Sequence, residues 1–305
     1  MIVGAGVAGL TAAAAAAADG ASVLVIEQMA PGGQIATVDR IRNFPGFPDG
    51  VGGYELGPLL QQQAADTGVA FMLDTAERIE PSGGGFSVTC SEGSVSARAI
   101  ILAMGSHRAK LAVPGEDELE GRGVSHCASC DGHFFRGKQV VVAGGGDSAF
   151  DEAELLAEQA GQVTIMHHGA HPRAQRSTVE RVQALPNVRV VANAQIRRIE
   201  GEHEVERIIV DLPDGEAVEP ASGLFVYVGL VPNSAIVADL VDVDAGGRII
   251  ADSSFQTSRA GMFVAGDLRS GANAMLASAA GDGSAAAAAA LRYLRGDSGG
   301  GSAAA

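Results

Sequence analysis

The sequence predicts an α/β protein with two parallel βαβ units, and three observations support this prediction. Strand-like and helix-like segments alternate along the 305 residues. Two glycine-rich turns each lie between a predicted strand and a predicted helix. Apolar residues make up 47% of the chain and charged residues 19%, which favours a packed core over disorder. At roughly 150 residues per domain, this length favours two domains.

The first βαβ unit begins at the N-terminus. Ile2-Val3 is a short predicted strand, and the pattern Gly4-x-Gly6-x-x-Gly9 leads into an alanine-rich helix. A predicted strand over Ser22–Ile26 ends in Glu27, 18 residues after the last of these glycines. Such glycines permit a tight turn and let a pyrophosphate reach the helix N-terminus, while the acid can accept a hydrogen bond from a ribose hydroxyl. The unit is therefore predicted to bind a dinucleotide.

A second unit follows much later in the chain. Lys138–Ala143 is a predicted strand, and Gly144-x-Gly146-x-x-Ala149 repeats the glycine pattern around Asp147 and Ser148. A helix from about Ser148 to Ala160 and a strand over Gln162–Met166 complete the unit. Two such units predict two dinucleotides, or one dinucleotide and a site that has lost its ligand.

Three further segments lie between and after these units. Ala99–Gly105 is predicted to be a buried strand that ends at Gly105, and Pro114-Gly115 is typical of a hinge. Gly261–Asp267 is a short apolar strand closed by Gly266 and Asp267, where the aspartate either binds a flavin or ribose hydroxyl or caps a helix. A helix is predicted around Ala285–Ala290, and the Gly/Ser-rich tail 297–305 is expected to be disordered.

Charge and hydropathy disfavour several partners. The chain has 21 Lys and Arg against 36 Asp and Glu, a net charge of −15. Phosphate binding depends on an excess of basic residues, so neither nucleic acid nor an anionic membrane is expected as a partner. The N-terminus has no basic signal-peptide region, and its alanine-rich stretch is too short to cross a bilayer. These features predict a cytoplasmic protein.

Three cysteines are too few for a disulfide scaffold. Cys127 and Cys130 form a C-x-x-C pair that lies just before the second glycine pattern. Neither a second pair nor histidines at zinc spacing accompany them, so redox chemistry is favoured and no metal is expected. Cys90 has no partner in the pattern and is interpreted as a packing residue. His126 and His133 flank the motif and either lower a thiol pKa or are ordinary loop residues.

These motifs, taken in order, resemble the low-molecular-weight thioredoxin reductases, and the resemblance covers essentially the whole chain. The segments that carry it are Gly4-x-Gly6-x-x-Gly9, Gly32-Gly33-Gln34, Asn43-Phe44-Pro45-Gly46, Gly121–Gly132 with its Cys127-x-x-Cys130-Asp131-Gly132 core, and Gly261–Asp267. A C-x-x-C-Asp-Gly segment directly ahead of a dinucleotide pattern is highly specific.

The resemblance implies two Rossmann-like dinucleotide-binding domains, the second inserted into the first. Residues 1–109 and 231–305 would form an FAD domain, residues 110–230 would bind NADPH or NADH, and the domains would rotate during turnover of a homodimer. The implied FAD-binding residues are Gly4, Gly6, Gly9, Glu27, Gly33, Gln34, Asn43, Gly105, Gly266 and Asp267. The implied nicotinamide-dinucleotide residues are Gly144, Gly146, Asp147, Ser148 and Arg173.

The resemblance also implies roles at the redox pair. Cys130 would face the flavin, Cys127 would attack the substrate disulfide, and Asp131 would exchange protons with the sulfurs. The substrate would be thioredoxin or a small disulfide or dithiol.

Two segments depart from the family. NADPH-dependent members carry paired arginines after the second strand of the nicotinamide domain, whereas this chain reads His167-His168-Gly169-Ala170-His171-Pro172-Arg173, in which only Arg173 matches. An Arg-Gln pair before the last helix is also missing from Asn273–Ser278.

These departures leave three hypotheses. The leading one is a thioredoxin reductase fed by NAD(P)H. The alternative is a related flavoprotein that does not use NADPH, either fed by ferredoxin or oxidising small dithiols with O₂. A non-catalytic flavin-binding protein is the third, and the intact Cys127, Cys130 and Asp131 argue against it.

Overall fold

A computed structural model describes residues 1–296 of the chain, so the prediction of a disordered tail at 297–305 lies outside the described residues. The strands are β1 (Ile2–Val3), β2 (Leu24–Glu27), β3 (Ala70–Leu73), β4 (Ala76–Ser82), β5 (Gly85–Cys90), β6 (Gly93–Ala97), β7 (Ile100–Leu102), β8 (Ser106–Arg108), β9 (Val124–Ser125), β10 (Gln139–Ala143), β11 (Gln162–Met166), β12 (Val188–Val191), β13 (Gln195–Glu200), β14 (Arg207–Leu212), β15 (Gly215–Pro220), β16 (Gly223–Val226), β17 (Leu230–Pro232) and β18 (Met262–Val264). The helices are α1 (Val7–Ala18), α2 (Gly53–Asp66), α3 (Ala128–Asp131), α4 (Asp147–Ala157), α5 (Arg176–Gln183) and α6 (Leu276–Arg295).

The chain divides into two compact units. Met1–His107 and the chain from Val231 onward form unit 1, and Arg108–Leu230 forms unit 2. The chain passes from one unit to the other at β8 and returns at β17, and these two strands form a small sheet of their own.

Unit 1 is built on a parallel sheet in the order β18-β7-β1-β2-β3. Helices α1 and α6 pack together through small side chains, and a Cβ at Gly283 of α6 would lie only 2.2 Å from the carbonyl oxygen of Ala8. This close approach explains the alanine-rich composition of both helices, because larger side chains would force the backbones apart. A separate antiparallel sheet, β4-β5-β6, completes the unit.

Unit 2 repeats this plan around a parallel sheet in the order β12-β11-β10-β16-β9. The strands β10, β11 and β16 are almost entirely buried, as their runs of Val, Ile and Phe predict for a sheet covered on both faces. Phe150 of α4 and Phe225 of β16 are fully buried in the core. The chain between β12 and β16 forms a separate antiparallel sheet, β13-β14-β15.

The α/β prediction is confirmed, and the elements differ from it mainly at their ends. The strand expected over Ala99–Gly105 is limited to β7, since the chain turns at Gly105, whose φ is 58°. The helix expected to reach Ala160 ends at Ala157, and the strand expected over Ser22–Ile26 is β2, two residues later at its start. Within residues 1–296, no helix is long and apolar enough to cross a membrane.

Candidate active site

The first glycine turn joins β1 to α1 and is closed by backbone packing. Gly4 has φ 101°, and a Cβ there would lie 2.4 Å from the carbonyl oxygen of Ala103. A Cβ at Gly9 would lie 1.9 Å from the carbonyl oxygen of Gly4. The protein itself therefore requires glycine at both positions.

Gly6 differs from its two neighbours in the motif. Its φ is −70°, a value that any residue adopts, and a Cβ there would meet no protein atom within 4 Å. Gly6 is also the N-cap of α1 and has no side chain to cap it, and the first amides of an α-helix have no partner within the helix. An absent side chain beside free helix amides is what a pyrophosphate needs for close approach, so the turn fits a dinucleotide such as FAD.

Glu27 lies at the end of β2, where a ribose-binding acid was predicted. One of its carboxylate oxygens accepts a hydrogen bond from the Ala5 amide at 2.7 Å, and the other accepts one from the Met29 amide at 3.0 Å. Glu27 thus also fixes the glycine turn, and each oxygen keeps a second lone pair for a ligand hydroxyl.

Of the other predicted flavin residues, Gly33 and Gln34 lie close to this turn, whereas Asn43 lies in a separate loop. A Cβ at Gly33 would lie 3.3 Å from the Cα of Gly6, so the Gly32-Gly33 segment packs against the glycine turn. Gln34 follows it and donates a hydrogen bond to the hydroxyl of Ser106 at 3.0 Å, which places the amide beside Gly105. Asn43 lies in the exposed part of the loop between Ile41 and Val51.

The Gly266-Asp267 turn lies beside the start of α1. Gly266 has φ 73°, and a Cβ there would lie 3.0 Å from the Cβ of Ala8. Asp267 belongs to a short 3₁₀ segment that has no side-chain cap, so the helix-cap interpretation of this residue is wrong. Burial raises the pKa of Asp267, while Arg248 acts to lower it. A half-buried carboxyl group here is available to a ligand hydroxyl.

The side chain that holds this turn in place was not predicted from the sequence. Asp282 of α6 receives two hydrogen bonds from the guanidinium of Arg269, at 2.9 and 3.1 Å. It also accepts one from the Gly266 amide at 3.2 Å. No sequence motif marks Asp282, which lies 15 residues beyond Asp267 in an alanine-rich stretch.

The second glycine turn has the same construction within unit 2. Gly144 has φ 145°, and a Cβ there would lie 2.3 Å from the carbonyl oxygen of Tyr227. Gly146 is the N-cap of α4, has φ −96°, and would bring a Cβ into open space. The carboxylate of Asp147 accepts a hydrogen bond from the Gln175 amide at 2.6 Å, and Ser148 is exposed in the first turn of α4. This turn also fits a dinucleotide.

Residues 167–173, which depart from the family pattern, and the two residues after them lie against the second glycine turn. The Arg173 amide donates to the carbonyl oxygen of Gly145 at 2.6 Å, which fixes this arginine beside the turn. His168, His171 and Arg173 are exposed. Arg176, in contrast, is paired with Glu180 at 2.6 Å. Arg173 is therefore the arginine of this segment that the fold offers to a ligand phosphate.

Cys127 and Cys130 form a disulfide in unit 2, with their Cα atoms 5.3 Å apart. Cys127 is half-buried and is the N-cap of the one-turn helix α3, while Cys130 is exposed. The Cys130 amide donates to Cys127 Sγ at 3.2 Å, and the hydroxyl of Ser129 lies 3.3 Å from the same sulfur. These groups can stabilise a negative charge on Cys127 after the disulfide opens.

Asp131 is oriented by a residue that was not predicted. The hydroxyl of Ser125, which is buried, donates to Asp131 Oδ2 at 2.6 Å. The same hydroxyl oxygen accepts a hydrogen bond from the Cys127 amide at 3.1 Å. Ser125 thereby links the carboxylate to the residue that carries the sulfur.

The flanking histidines differ in their surroundings. His126 Nε2 lies 3.3 Å from the carboxylate of Glu120, and its Nδ1 lies 3.3 Å from the carbonyl oxygen of Val226. His133 is exposed, and its ring contacts Phe134. An influence of either histidine on a thiol stays a prediction.

Cys90 lies apart from this chemistry. It is buried in β5 of unit 1, and burial, together with Asp74 and Glu77, raises the pKa of its thiol. A thiol with a raised pKa is a poor nucleophile, which agrees with the interpretation of Cys90 as a packing residue. In the described part of the chain, no three His, Cys, Asp or Glu side chains are grouped so that they could hold a metal ion.

Two glycine turns of this kind and a C-x-x-C disulfide define a dinucleotide-dependent oxidoreductase fold, and comparison with known proteins agrees. The family model described as pyridine nucleotide-disulphide oxidoreductase matches residues 1–284. The chain therefore belongs to the pyridine nucleotide-disulphide oxidoreductases, and within them to the low-molecular-weight thioredoxin reductases, as the resemblance predicted.

Three proteins represent this similarity. A thioredoxin reductase of Treponema pallidum is 38% identical over 296 residues, which cover 96% of each chain. A bifunctional thioredoxin reductase/thioredoxin of Mycobacterium leprae is 37% identical over 298 residues, 96% of this chain and 65% of the relative. The crystal structure of Lactococcus lactis thioredoxin reductase, 33% identical, matches with a TM-score of 0.94 over 97% of this chain and 98% of that one.

Proposed function

We propose that this chain is an FAD-dependent thioredoxin reductase that passes electrons from NAD(P)H through the Cys127–Cys130 disulfide to thioredoxin. The observation that carries the proposal is this disulfide on an exposed turn, directly before the second glycine turn. In this proposal unit 1 holds FAD and unit 2 holds the nicotinamide dinucleotide.

The residues for each dinucleotide follow from the two turns. FAD would be held by the Gly4–Gly9 turn and by the predicted residues that pack around it, and when bound it supplies two-electron transfer between nicotinamide and disulfide. The nicotinamide dinucleotide would be held by the Gly144–Ala149 turn and by Arg173, whose amide is bonded to Gly145. Open space at Gly6 and at Gly146 supports both placements.

The protein's own chemistry is thiol–disulfide exchange. Two electrons and two protons open the Cys127–Cys130 bond, and the Cys127 thiolate then attacks one sulfur of the thioredoxin disulfide. A mixed disulfide forms as the second thioredoxin sulfur leaves as a thiolate. Cys130 next attacks Cys127, which releases the reduced partner and restores the original disulfide. Asp131, held by Ser125, gives and accepts the protons of the two sulfurs at its carboxylate.

The partner and the assembly are inferred from different observations. The Mycobacterium leprae relative is named as a reductase joined to a thioredoxin, which favours thioredoxin over a small disulfide as the substrate here. Met29, Tyr54, Leu59 and Leu73 are large apolar side chains that unit 1 leaves exposed, and aromatic and Met side chains are enriched at interfaces between proteins. We therefore propose a homodimer, which light scattering of the purified protein would test. The cytoplasmic location is proposed from the sequence alone.

Trapping the mixed disulfide tests the function and the roles of the two cysteines. With Cys130→Ser, no enzyme thiol remains to resolve a mixed disulfide between Cys127 and thioredoxin. A covalent adduct should therefore accumulate with a bacterial thioredoxin that keeps a single active-site cysteine, activated as a mixed disulfide with a small aromatic thiol that departs as the leaving group. Cys127→Ser is the matched control and should give no adduct. An adduct with Cys127→Ser alone would reverse the assigned roles, and no adduct with either variant would refute thioredoxin as the substrate.

The electron donor has a separate test, since the paired arginines are missing. Anaerobic titration of the yellow protein with NADPH, and separately with NADH, should bleach the flavin absorbance near 450 nm. Arg173→Ala should weaken NADPH binding roughly tenfold to a hundredfold, because a charge-assisted hydrogen bond contributes about 1.5–3 kcal/mol. Arg176→Ala is the control and should bind NADPH normally, because Arg176 is paired with Glu180.

The same titration decides between the leading function and the alternative. The segment 167–173, with one arginine in place of several, favours a flavoprotein that is not fed by NADPH as the second candidate. Bleaching by dithionite or dithiols but by neither nucleotide would support this candidate, either as a ferredoxin-fed reductase or as a dithiol oxidase. Bleaching by NADH alone would change the donor and leave the exchange chemistry intact.

A further inference from the structure

We propose that Glu152 is a positioning residue for the Cys127–Cys130 couple, and that its negative charge limits how readily Cys127 ionises. The inference rests on the proposed function only in taking this disulfide as redox-active. It concerns residues of unit 2 alone.

Glu152 holds the backbone between the two cysteines. Ala128, the first residue of α3, is fully buried, and its amide donates to the Glu152 carboxylate at 3.0 Å and to the Tyr227 hydroxyl oxygen at 3.1 Å. The Tyr227 hydroxyl in turn hydrogen-bonds with Glu152. One buried amide of the redox turn is thus held by a carboxylate from α4 and a phenol that follows β16.

In this arrangement the ionised form of Glu152 places a negative charge close to the turn, with the positive charge of Arg108 nearby. Burial raises the pKa of Glu152, while hydrogen bonds from Tyr227 and Ala128 and the nearby Arg108 act to lower it. Arg108 lies over the ring of Tyr227, 5.3 Å from its centroid. A buried acid that accepts two hydrogen bonds remains an acceptor, and both bonds are stronger to the ionised form.

The remaining charges near Glu152 are engaged elsewhere. Asp151, its neighbour on α4, lies 3.6 Å from Arg181 of α5, which also pairs with Glu154 at 2.8 Å. Asp131 of α3 is bonded to Ser125. Among these carboxylates, Glu152 is the one that accepts the hydrogen bond from the Ala128 amide, between the two cysteines.

The sign of the effect follows from the charges on sulfur. The disulfide is neutral, and two electrons and two protons convert it to a neutral dithiol, which loses one proton to form the Cys127 thiolate. A fixed carboxylate repels that thiolate and has little effect on the two neutral states. Removing the charge should make Cys127 ionise at lower pH and make the couple more oxidising where the thiolate is the reduced form.

Two substitutions separate charge from position. Glu152→Gln removes the charge and keeps an oxygen that can accept the Ala128 amide. Tyr227→Phe keeps the carboxylate and the ring but removes one acceptor from that amide and one hydrogen bond to Glu152. Glu154→Gln is the matched control, because it removes a carboxylate from the same helix where the partner is Arg181.

The test uses the FAD-loaded enzyme after reduction with dithiothreitol under nitrogen, so it requires neither NADPH nor thioredoxin. Iodoacetamide alkylation of Cys127 is followed by mass spectrometry across a pH series, and the disulfide is equilibrated with dithiothreitol redox buffers. For Glu152→Gln, we expect the pH profile to move to lower pH and the alkylation rate below its midpoint to rise roughly threefold to tenfold, as for one charge in a partly solvated site. At pH values above this midpoint, the equilibrium constant for reducing the disulfide should rise by the same factor, and each tenfold change raises the potential by about 30 mV.

The outcomes distinguish this inference from the proposed function. Tyr227→Phe should change the potential without moving the alkylation profile to lower pH, and Glu154→Gln should match the parent. Unchanged pH profiles in Glu152→Gln, or a shift of equal size in Glu154→Gln, would overturn the role of Glu152. A chain that fails to reduce thioredoxin but shows the Glu152 shift would refute the proposed substrate and leave this inference intact.

Discussion

Asp282 connects α6 to the turn that carries Gly266 and Asp267, and replacing it with asparagine tests what holds that turn in place. The substitution preserves shape and removes one charge. It leaves the guanidinium of Arg269 without its carboxylate, although that guanidinium still donates to the Ser270 carbonyl oxygen at 3.2 Å and lies 5.0 Å from the centre of the Phe255 ring.

The magnitude follows from burial and bonding. The side chains of Asp282 and Arg269 are 10% and 24% exposed, and two hydrogen bonds join them. Breaking a fully buried pair costs about 3–5 kcal/mol, and the partial exposure of Arg269 reduces this to about 2–4 kcal/mol. For a unit of this size, such a loss lowers the Tm by roughly 5–12 °C.

The assay compares thermal unfolding of Asp282→Asn with that of Asp19→Asn. Asp19 pairs with Arg295 at the other end of α6, but both side chains are 53% exposed, so its loss should cost at most about 1 kcal/mol. Asp282→Asn should also retain less FAD through purification, since the Gly266 amide then donates to a neutral amide oxygen in place of a carboxylate, and Asp267 follows Gly266. Equal Tm values for the two variants would refute the reasoning.

Three further predictions concern other positions of the site. Gly6→Ala should leave the Tm of the apoprotein nearly unchanged while lowering FAD binding, whereas Gly9→Ala should prevent folding, as measured by circular dichroism and flavin content, because its Cβ would lie 1.9 Å from a carbonyl oxygen. Ser125→Ala should lower kcat with thioredoxin about tenfold and alter its pH profile, because Asp131 loses its orienting hydrogen bond. Burial raises the pKa of Asp267 above 3.8, so stability should fall as pH rises from that value through the raised pKa, and Asp267→Asn should remove this part of the pH dependence in apoprotein melts.

The parts of the site that were predictable from the sequence are those set by local geometry. A glycine with a left-handed φ such as Gly4 or Gly144 is required wherever the chain turns sharply between strand and helix, and the requirement acts within a few residues. Cys127, Cys130 and Asp131 are likewise neighbours in the chain, so their proximity needed no knowledge of the fold.

Residues that act across the fold left no such signal. Nothing in the sequence distinguishes Glu152 from Asp151 and Glu154 on the same helix, although the Ala128 amide donates to Glu152. Tyr227, its partner, lies 75 residues further along the chain. Their meeting depends on how α4 and β16 pack around α3, which is a property of the tertiary structure.

The unpredicted acids share one structural role. Asp282 accepts the Gly266 amide, Glu152 accepts the Ala128 amide, and the nearly fully buried Glu116 accepts the amides of Leu111 and Ala112 at 2.9 and 2.6 Å. In each case a carboxylate fixes the backbone of a turn that is either functional or strained, since Ala112 has φ 56°.

This role gives the acidity of the chain a structural meaning. A net charge of −15 would destabilise a compact chain if all its carboxylates lay on the surface, since they would repel one another. A carboxylate that binds backbone amides instead neutralises part of its charge against their dipoles, as Glu116 does with two amides, and Asp282 combines such a bond with its Arg269 partner. Because Glu116, Glu152 and Asp282 act through such short-range bonds in partly buried positions, high salt should weaken them less than it weakens the exposed Asp19–Arg295 pair.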